Sequence, residues 1–159
     1  MIKFSDVYAK QEPRWEGDDD NFDEQSDYNV LLDLFEFKIL LQVDDEDYQG
    51  DSRVLFYDEK THKFGFLVFG WGSCSGCDSL QACHSVEQVD ELQEQIFNDI
   101  TWFDSADKLL YYFKTKDWEL EYCYHDEGEF KIFLEKAEKI LMRQIVFDIA
   151  MNISYELYI

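Results

Sequence analysis

Basic residues are scarce: 14 Lys plus Arg stand against 36 Asp plus Glu, for a formal charge of −22. That balance excludes direct binding to nucleic acid or to an anionic membrane, since both recruit proteins through Lys and Arg. No apolar run is long enough to span a bilayer, and the N-terminus lacks a basic segment followed by an apolar one. A soluble protein that is not secreted is therefore expected. Four cysteines in 159 residues do not suggest a disulfide scaffold and fit a reducing cytoplasm. Proline occurs once, at Pro13. The G-x-S-x-G and H-E-x-x-H signatures are missing, and carboxylates are too numerous for any pair to mark a catalytic site. The expectation is a protein that is not an enzyme.

Core-forming material is plentiful. Apolar residues make up 46% of the chain and aromatics 18%, which rules out disorder by composition and supports one domain spanning 1–159. Residues 1–10 read as a short strand, and 11–29 as a polar, acidic loop or mobile arm. From 31 to 43, Leu31, Phe35, Phe37, Ile39, Leu41 and Val43 alternate, which predicts a long strand with one buried face. Strands at 53–57 and 64–70, joined by "DEKTHK", extend this to an antiparallel sheet of three or more strands.

The period then changes. Ser85 and Gln88 make a capping-box pattern ahead of a helix with Val86, Val89, Leu92, Ile96 and Phe97 on one stripe. Asp104 is expected to cap a second helix with Ala106, Leu109, Leu110 and Phe113 inward. "WELEYCY" alternates like a strand. A third helix is predicted from about Glu127, with Phe130, Phe133, Leu134, Ala137, Ile140 and Leu141 inward. The apolar segment 145–159 fits either period and is assigned to continuation of that helix, packed in the core or against another copy in a homodimer. The fold class is α+β, an antiparallel sheet with helices on one face.

"GWGSCSGCDS", residues 70–79, is the most unusual stretch. Its glycines follow a strand and precede a helix, as phosphate loops do. But it lacks G-x-G-x-x-G and Gly-Lys-Ser/Thr endings, and no Lys or Arg falls between Lys63 and Lys108 to meet a phosphate. Cys74 and Cys77 form C-x-x-C, which suits a thiol oxidoreductase, although such a site also wants a proline facing the cysteines. The same pair is half of a tetrahedral zinc site. Cys123 and His125 share a face if 118–125 is extended and could complete it, with Cys83 and His84 as rivals. The stretch Asp45, Asp47, Gln49, Gly50 resembles the start of a calcium loop, but Phe56 stands where the bidentate Glu is required.

The acidic runs carry the functional expectation. Asp44, Asp45, Glu46, Asp47 and Asp51 crowd one loop; Glu87, Asp90, Glu91 and Glu94 lie opposite the apolar stripe of the first predicted helix. Carboxylates at i and i+4 on a helix are separated by about 6 Å of rise. Charges on a nucleic-acid strand repeat on a similar scale of several ångströms. Rigid acids could therefore occupy a groove built for phosphates, with Trp and Tyr in place of stacked bases.

At "GWGSCSGCDSLQ", "WFDS" and "KDWELEYCYH" the chain resembles a group of small acidic proteins encoded in bacteriophage genomes, over roughly residues 64–135. The resemblance implies a phage product working in the bacterial cytoplasm and carries no activity with it. The expectation is a non-enzymatic inhibitor of a basic, nucleic-acid-binding host protein such as a CRISPR nuclease, restriction enzyme or polymerase. The alternatives are a zinc-stabilised structural module and a C-x-x-C thiol oxidoreductase.

Overall fold

A computed structural model describes residues 1–8, 24–74, 76–118 and 127–158. The elements run α1 (Phe4–Tyr8), α2 (Glu24–Asp33), β1 (Lys38–Asp44), β2 (Gly50–Asp58), β3 (Lys63–Trp71), α3 (Val86–Asn98), β4 (Thr101–Phe103), α4 (Ala106–Thr115) and α5 (Glu127–Leu157). The fold is α+β. The four strands form one antiparallel sheet in the order β1-β2-β3-β4, with helices packed against it.

The helices cover both faces of the sheet, not one. β2 and β3 explain why. Their runs Val54-Leu55-Phe56 and Phe66-Leu67 are apolar without interruption, the pattern of strands buried on both sides. Val54, Phe56 and Leu67 pack with Tyr28, Leu31 and Leu32 of α2 and with Val89 and Ile96 of α3. Leu55, Phe64 and Phe66 point the other way. They pack with Ala106, Leu109, Leu110 and Phe113 of α4 and with Phe130, Phe133, Ala137 and Leu141 of α5. Full burial of a side chain such as Leu109 or Phe133 contributes roughly 1.5–3 kcal/mol.

Several expectations for the N-terminal third change. The predicted strand at 1–10 is a helix over Phe4–Tyr8. It is fixed by long-range bonds to α3: the Phe4 N–H donates to Gln93 Oε1 at 3.0 Å, and Gln93 Nε2 donates to the Ile2 carbonyl at 2.9 Å. Of the predicted arm, residues 11–23 lie outside the described residues, and 24–29 belong to α2. The strand predicted from residue 31 begins only at Lys38. Tyr28, Leu31, Leu32 and Phe35 are all buried, and they recur at i, i+3, i+4 and i+7, a helical spacing. Glu36, with φ 64°, turns the chain out of the helix. Within β1 the register shifts between Ile39 and Leu41, so Leu40 is an extra residue. That bulge sends Ile39 to the α2/α3 side and Leu41 and Val43 to the α4/α5 side, where one common buried face was expected.

In the C-terminal half α3, α4 and α5 follow the pattern, whereas the three-residue strand β4 was not expected. Ser85 caps α3 by accepting the Gln88 N–H at 3.2 Å, and the Gln88 side chain returns to the His84 N–H at 2.6 Å. Ser105, not Asp104, stands at the N-cap of α4. Asp104 instead pairs with Lys108 at 3.0 Å and Lys63 at 3.5 Å, which ties α4 to the sheet. The strand predicted for "WELEYCY" falls at 119–124, outside the described residues. α5 runs unbroken to Leu157, so the final apolar segment is helical, but it does not enter the core.

Candidate functional site: the cysteine loop and the acidic face of α3

The cysteine loop is built around a buried carboxylate. Asp78 accepts the Gly72 N–H at 2.8 Å, the Gln81 N–H at 2.8 Å and the Tyr28 hydroxyl at 3.3 Å. Gln81 Nε2 donates back to the Gly72 carbonyl at 3.1 Å, and the Leu80 N–H donates to the Tyr28 hydroxyl at 3.1 Å. Burial, and then the Asp78 carboxylate, push the Tyr28 phenol well above its usual range. Gly72 is required by contact: a Cβ there would stand 2.5 Å from the Cys77 carbonyl oxygen and 2.7 Å from its sulfur. A glycine N–H that a phosphate loop would aim at its ligand is thus already spent on Asp78.

Cys74 and Cys77 are exposed, with their sulfurs 2.9 Å apart. The Cys77 sulfur also accepts the Cys74 N–H at 3.2 Å. The Cys74 thiol, followed by the backbone N–H groups of Cys74 and Ser73, holds the Cys77 thiol below its usual range. Cys83 differs. It is buried, its sulfur donates to the Ser79 carbonyl at 3.3 Å, and burial, then Asp78 and Glu91, push its thiol up. Among the described residues no group of three or more His, Cys, Asp and Glu side chains is arranged to hold a metal. Cys123 and His125, the expected other half of a zinc site, lie outside the described residues.

The first acidic cluster divides into scaffold and surface. Asp45 was expected at the surface but is only 3% exposed, and Arg53 is 0% exposed. Their side chains pair at 2.7 Å. Asp45 also accepts the Asp51 N–H at 2.8 Å and donates its own N–H to the Asp51 carbonyl at 3.0 Å. Arg53 lies over the Phe130 ring at 5.4 Å, which links the β1–β2 hairpin to α5. Gly50 leaves room for this arrangement, since a Cβ there would meet the Asp45 Cβ at 2.5 Å. The stretch that resembles a calcium loop is therefore the neck of a hairpin. Asp44 is half-buried and accepts from Gln42 Nε2 at 3.1 Å; Asp51 is half-buried with an oxygen 3.9 Å from Arg53 Nη2. Glu46 and Asp47 are exposed at the tip, beside the exposed Tyr48.

α3 divides in the same way. Asp90 is half-buried and accepts both the Ser5 N–H, at 2.9 Å, and the Ser5 hydroxyl, which docks α1. Glu87, Glu91 and Glu94 are exposed. They occupy positions i, i+4 and i+7, so they climb the helix in steps of about 6 Å and about 4.5 Å. No ion pair among the described residues reaches any of them. The α4/α5 side is different: it pairs Lys108 with Asp104 and Lys114 with Glu138. The hairpin tip and the cysteine loop leave the sheet at the same end, because Gly50 pairs with Trp71, and α3 starts directly after that loop.

Sequence reasoning missed Asp78, Gln93 and Arg53 as organisers. Each is a polar residue with under 4% exposure. Arg53 carried the one available signal, a charged residue at the head of a strand otherwise apolar to Tyr57. Comparison with protein-family models, with curated proteins and with solved structures found no match to the chain.

Proposed function

We propose that the protein is a non-enzymatic inhibitor that binds a basic, nucleic-acid-handling protein through the acidic face of α3. The observation that carries this reading is the row Glu87, Glu91 and Glu94. These carboxylates are exposed, are borne on a helix fixed at its start by a reciprocal cap, and are joined by no cation of the chain among the described residues. Glu46 and Asp47 add charge at the hairpin tip, and Tyr48, 83% exposed, offers a ring for stacking. Asp45 and Asp90 serve the scaffold, and Asp44 and Asp51 support the hairpin. A field of this sign speeds encounter with a cationic groove and is screened by salt. With the resemblance to phage-encoded acidic proteins, the target class is a host CRISPR nuclease, restriction enzyme or polymerase met in the bacterial cytoplasm. Pull-down from bacterial lysate at low and high salt, with mass spectrometry of what is retained, tests it. Nucleic-acid-binding proteins held at low salt and released at high salt support the reading. Their equal capture by a Glu87→Gln/Glu91→Gln/Glu94→Gln variant opposes it.

The 2.9 Å approach of two exposed sulfurs favours one second reading, thiol–disulfide exchange at Cys74 and Cys77. Cys74→Ser would abolish such exchange and leave an acidic inhibitor active. In a zinc-stabilised module the same two sulfurs would ligate Zn²⁺ together with Cys123 and His125, and metal analysis of the purified protein tests that assignment.

A further inference from the structure

Among the described residues nothing packs on the far half of α5. Every described residue from Val146 to Tyr158 is exposed, yet Val146, Phe147, Ile149, Met151, Ile153, Tyr155, Leu157 and Tyr158 are large and apolar, with exposures from 53% to 94%. A helix that is apolar over most of its circumference is normally buried. Met142, Val146, Ile149 and Ile153 follow one another at steps of four, three and four residues, the spacing of a helix-pairing seam. Asp148, Asn152 and Glu156 lie on a separate stripe at i, i+4 and i+8.

We propose that this segment is a homodimer interface, in which two copies pair their projecting helices antiparallel about a two-fold axis through the Met142, Val146, Ile149 and Ile153 seam. Area supports it. Met142, Val146, Ile149, Ile153 and Leu157 share the seam face at 43–82% exposure and present on the order of 500 Å² per copy, so two copies reach the roughly 1,000 Å² in total that a specific interface needs. Charge selects the occupant and the direction. Each copy carries −22, but between residues 144 and 158 the only charged residues are Asp148 and Glu156, so this is where two copies meet with least repulsion. The twelve helical residues from Val146 to Leu157 span about 18 Å. Antiparallel pairing places the acidic bodies at opposite ends of that span, beyond the ~8 Å screening length of physiological salt, whereas parallel pairing brings them together. An anionic lipid surface repels a chain of this charge, and among the described residues no helix is long and apolar enough to cross a membrane.

Sedimentation equilibrium and small-angle X-ray scattering of the full chain test the proposal. The expected result is a dimer at micromolar concentration, tightened by added salt, with a two-lobed distance distribution. Ile149→Glu/Ile153→Glu should raise the dimer dissociation constant by at least about 100-fold, because it buries like charges in the seam. Both residues lie outside the core, so the urea transition of the monomer should be retained. A monomer at tens of micromolar, an unaffected dimer in the double variant, a compact one-lobed dimer, or binding to neutral phosphatidylcholine vesicles in preference to self-association would each overturn it. The salt response separates this interface from the proposed target complex, which weakens as salt rises.

Discussion

Replacing Asp45 with Asn removes the charge that faces Arg53 and keeps the shape of the side chain. Arg53 is fully buried, its Nη1 pairs with Asp45 at 2.7 Å, and its Nε and Nη2 have no hydrogen-bond acceptor among the described residues. The variant therefore leaves the guanidinium cation in the interior without its counter-ion. Breaking a buried pair from one side costs about 3–5 kcal/mol. The half-buried Asp51, 3.9 Å from Nη2, offsets part of this and places the expected loss near 3 kcal/mol. Against a total stability of about 5–15 kcal/mol this is a large fraction. At 2–4 °C per kcal/mol for a chain of this size, the melting temperature should fall by about 6–12 °C. Urea unfolding followed by near-ultraviolet circular dichroism measures it. A second variant, Asp45→Asn/Arg53→Met, should recover at least half of the loss, because replacing a buried pair with apolar groups is often neutral. If Asp45→Asn costs under about 1 kcal/mol, a range typical of exposed pairs, Asp45 is solvated and its assignment to the scaffold is wrong.

The cysteines should separate by reactivity. Cys77, held below the usual thiol range, should be alkylated by iodoacetamide at lower pH than Cys83, which is buried and pushed up; peptide mass spectrometry reads the order, and equal rates would contradict the assignment. Gly72→Ala forces a Cβ to 2.5 Å from the Cys77 carbonyl and should cost about 1–3 kcal/mol while raising the accessibility of the loop to protease. Tyr28 gives a pH dependence. Its folded phenol is raised, so its contribution is complete below pH ~10, where the unfolded phenol ionises, and declines as pH rises through the folded value. Tyr28→Phe should therefore lower stability at pH 8 and flatten the decline between about pH 10 and 11.5; a parallel decline in both proteins would refute the shift.

The C-terminal half was readable because its signals are local. Ser85 with Gln88, and the spacing of Phe130, Phe133, Ala137 and Leu141, specify helix starts and faces without reference to distant contacts. The N-terminal third was misread because two periods overlap. Leu31 to Val43 alternates, but Tyr28, Leu31, Leu32 and Phe35 also keep helical time, and the helix prevails because Leu31 and Leu32 are both buried as neighbours. The bulge at Leu40 left no composition signal, and it decides which core receives Leu41 and Val43. Charge gave the acidic face of α3 but could not sort its members. Glu91 and Asp90 are adjacent in sequence, and only the docking of Ser5 shows that one is surface and the other support. Asp78, one residue from Cys77, has no sequence signal that sets it apart from the chain's other acids, because its partners Gly72, Gln81 and Tyr28 meet only in the fold.

The most direct measurement is displacement of a fluorescent DNA duplex from purified host restriction enzyme, CRISPR nuclease and RNA polymerase by the wild-type chain and by the Glu87→Gln/Glu91→Gln/Glu94→Gln variant, across a range of salt. Wild type should displace DNA from at least one of these, less well as salt rises, and the triple variant should need at least about 10-fold more protein with a shallower salt dependence. Displacement by both proteins at the same concentration and with the same salt slope, or by neither from any of the three, would contradict the proposal that α3 presents its carboxylates in place of phosphates.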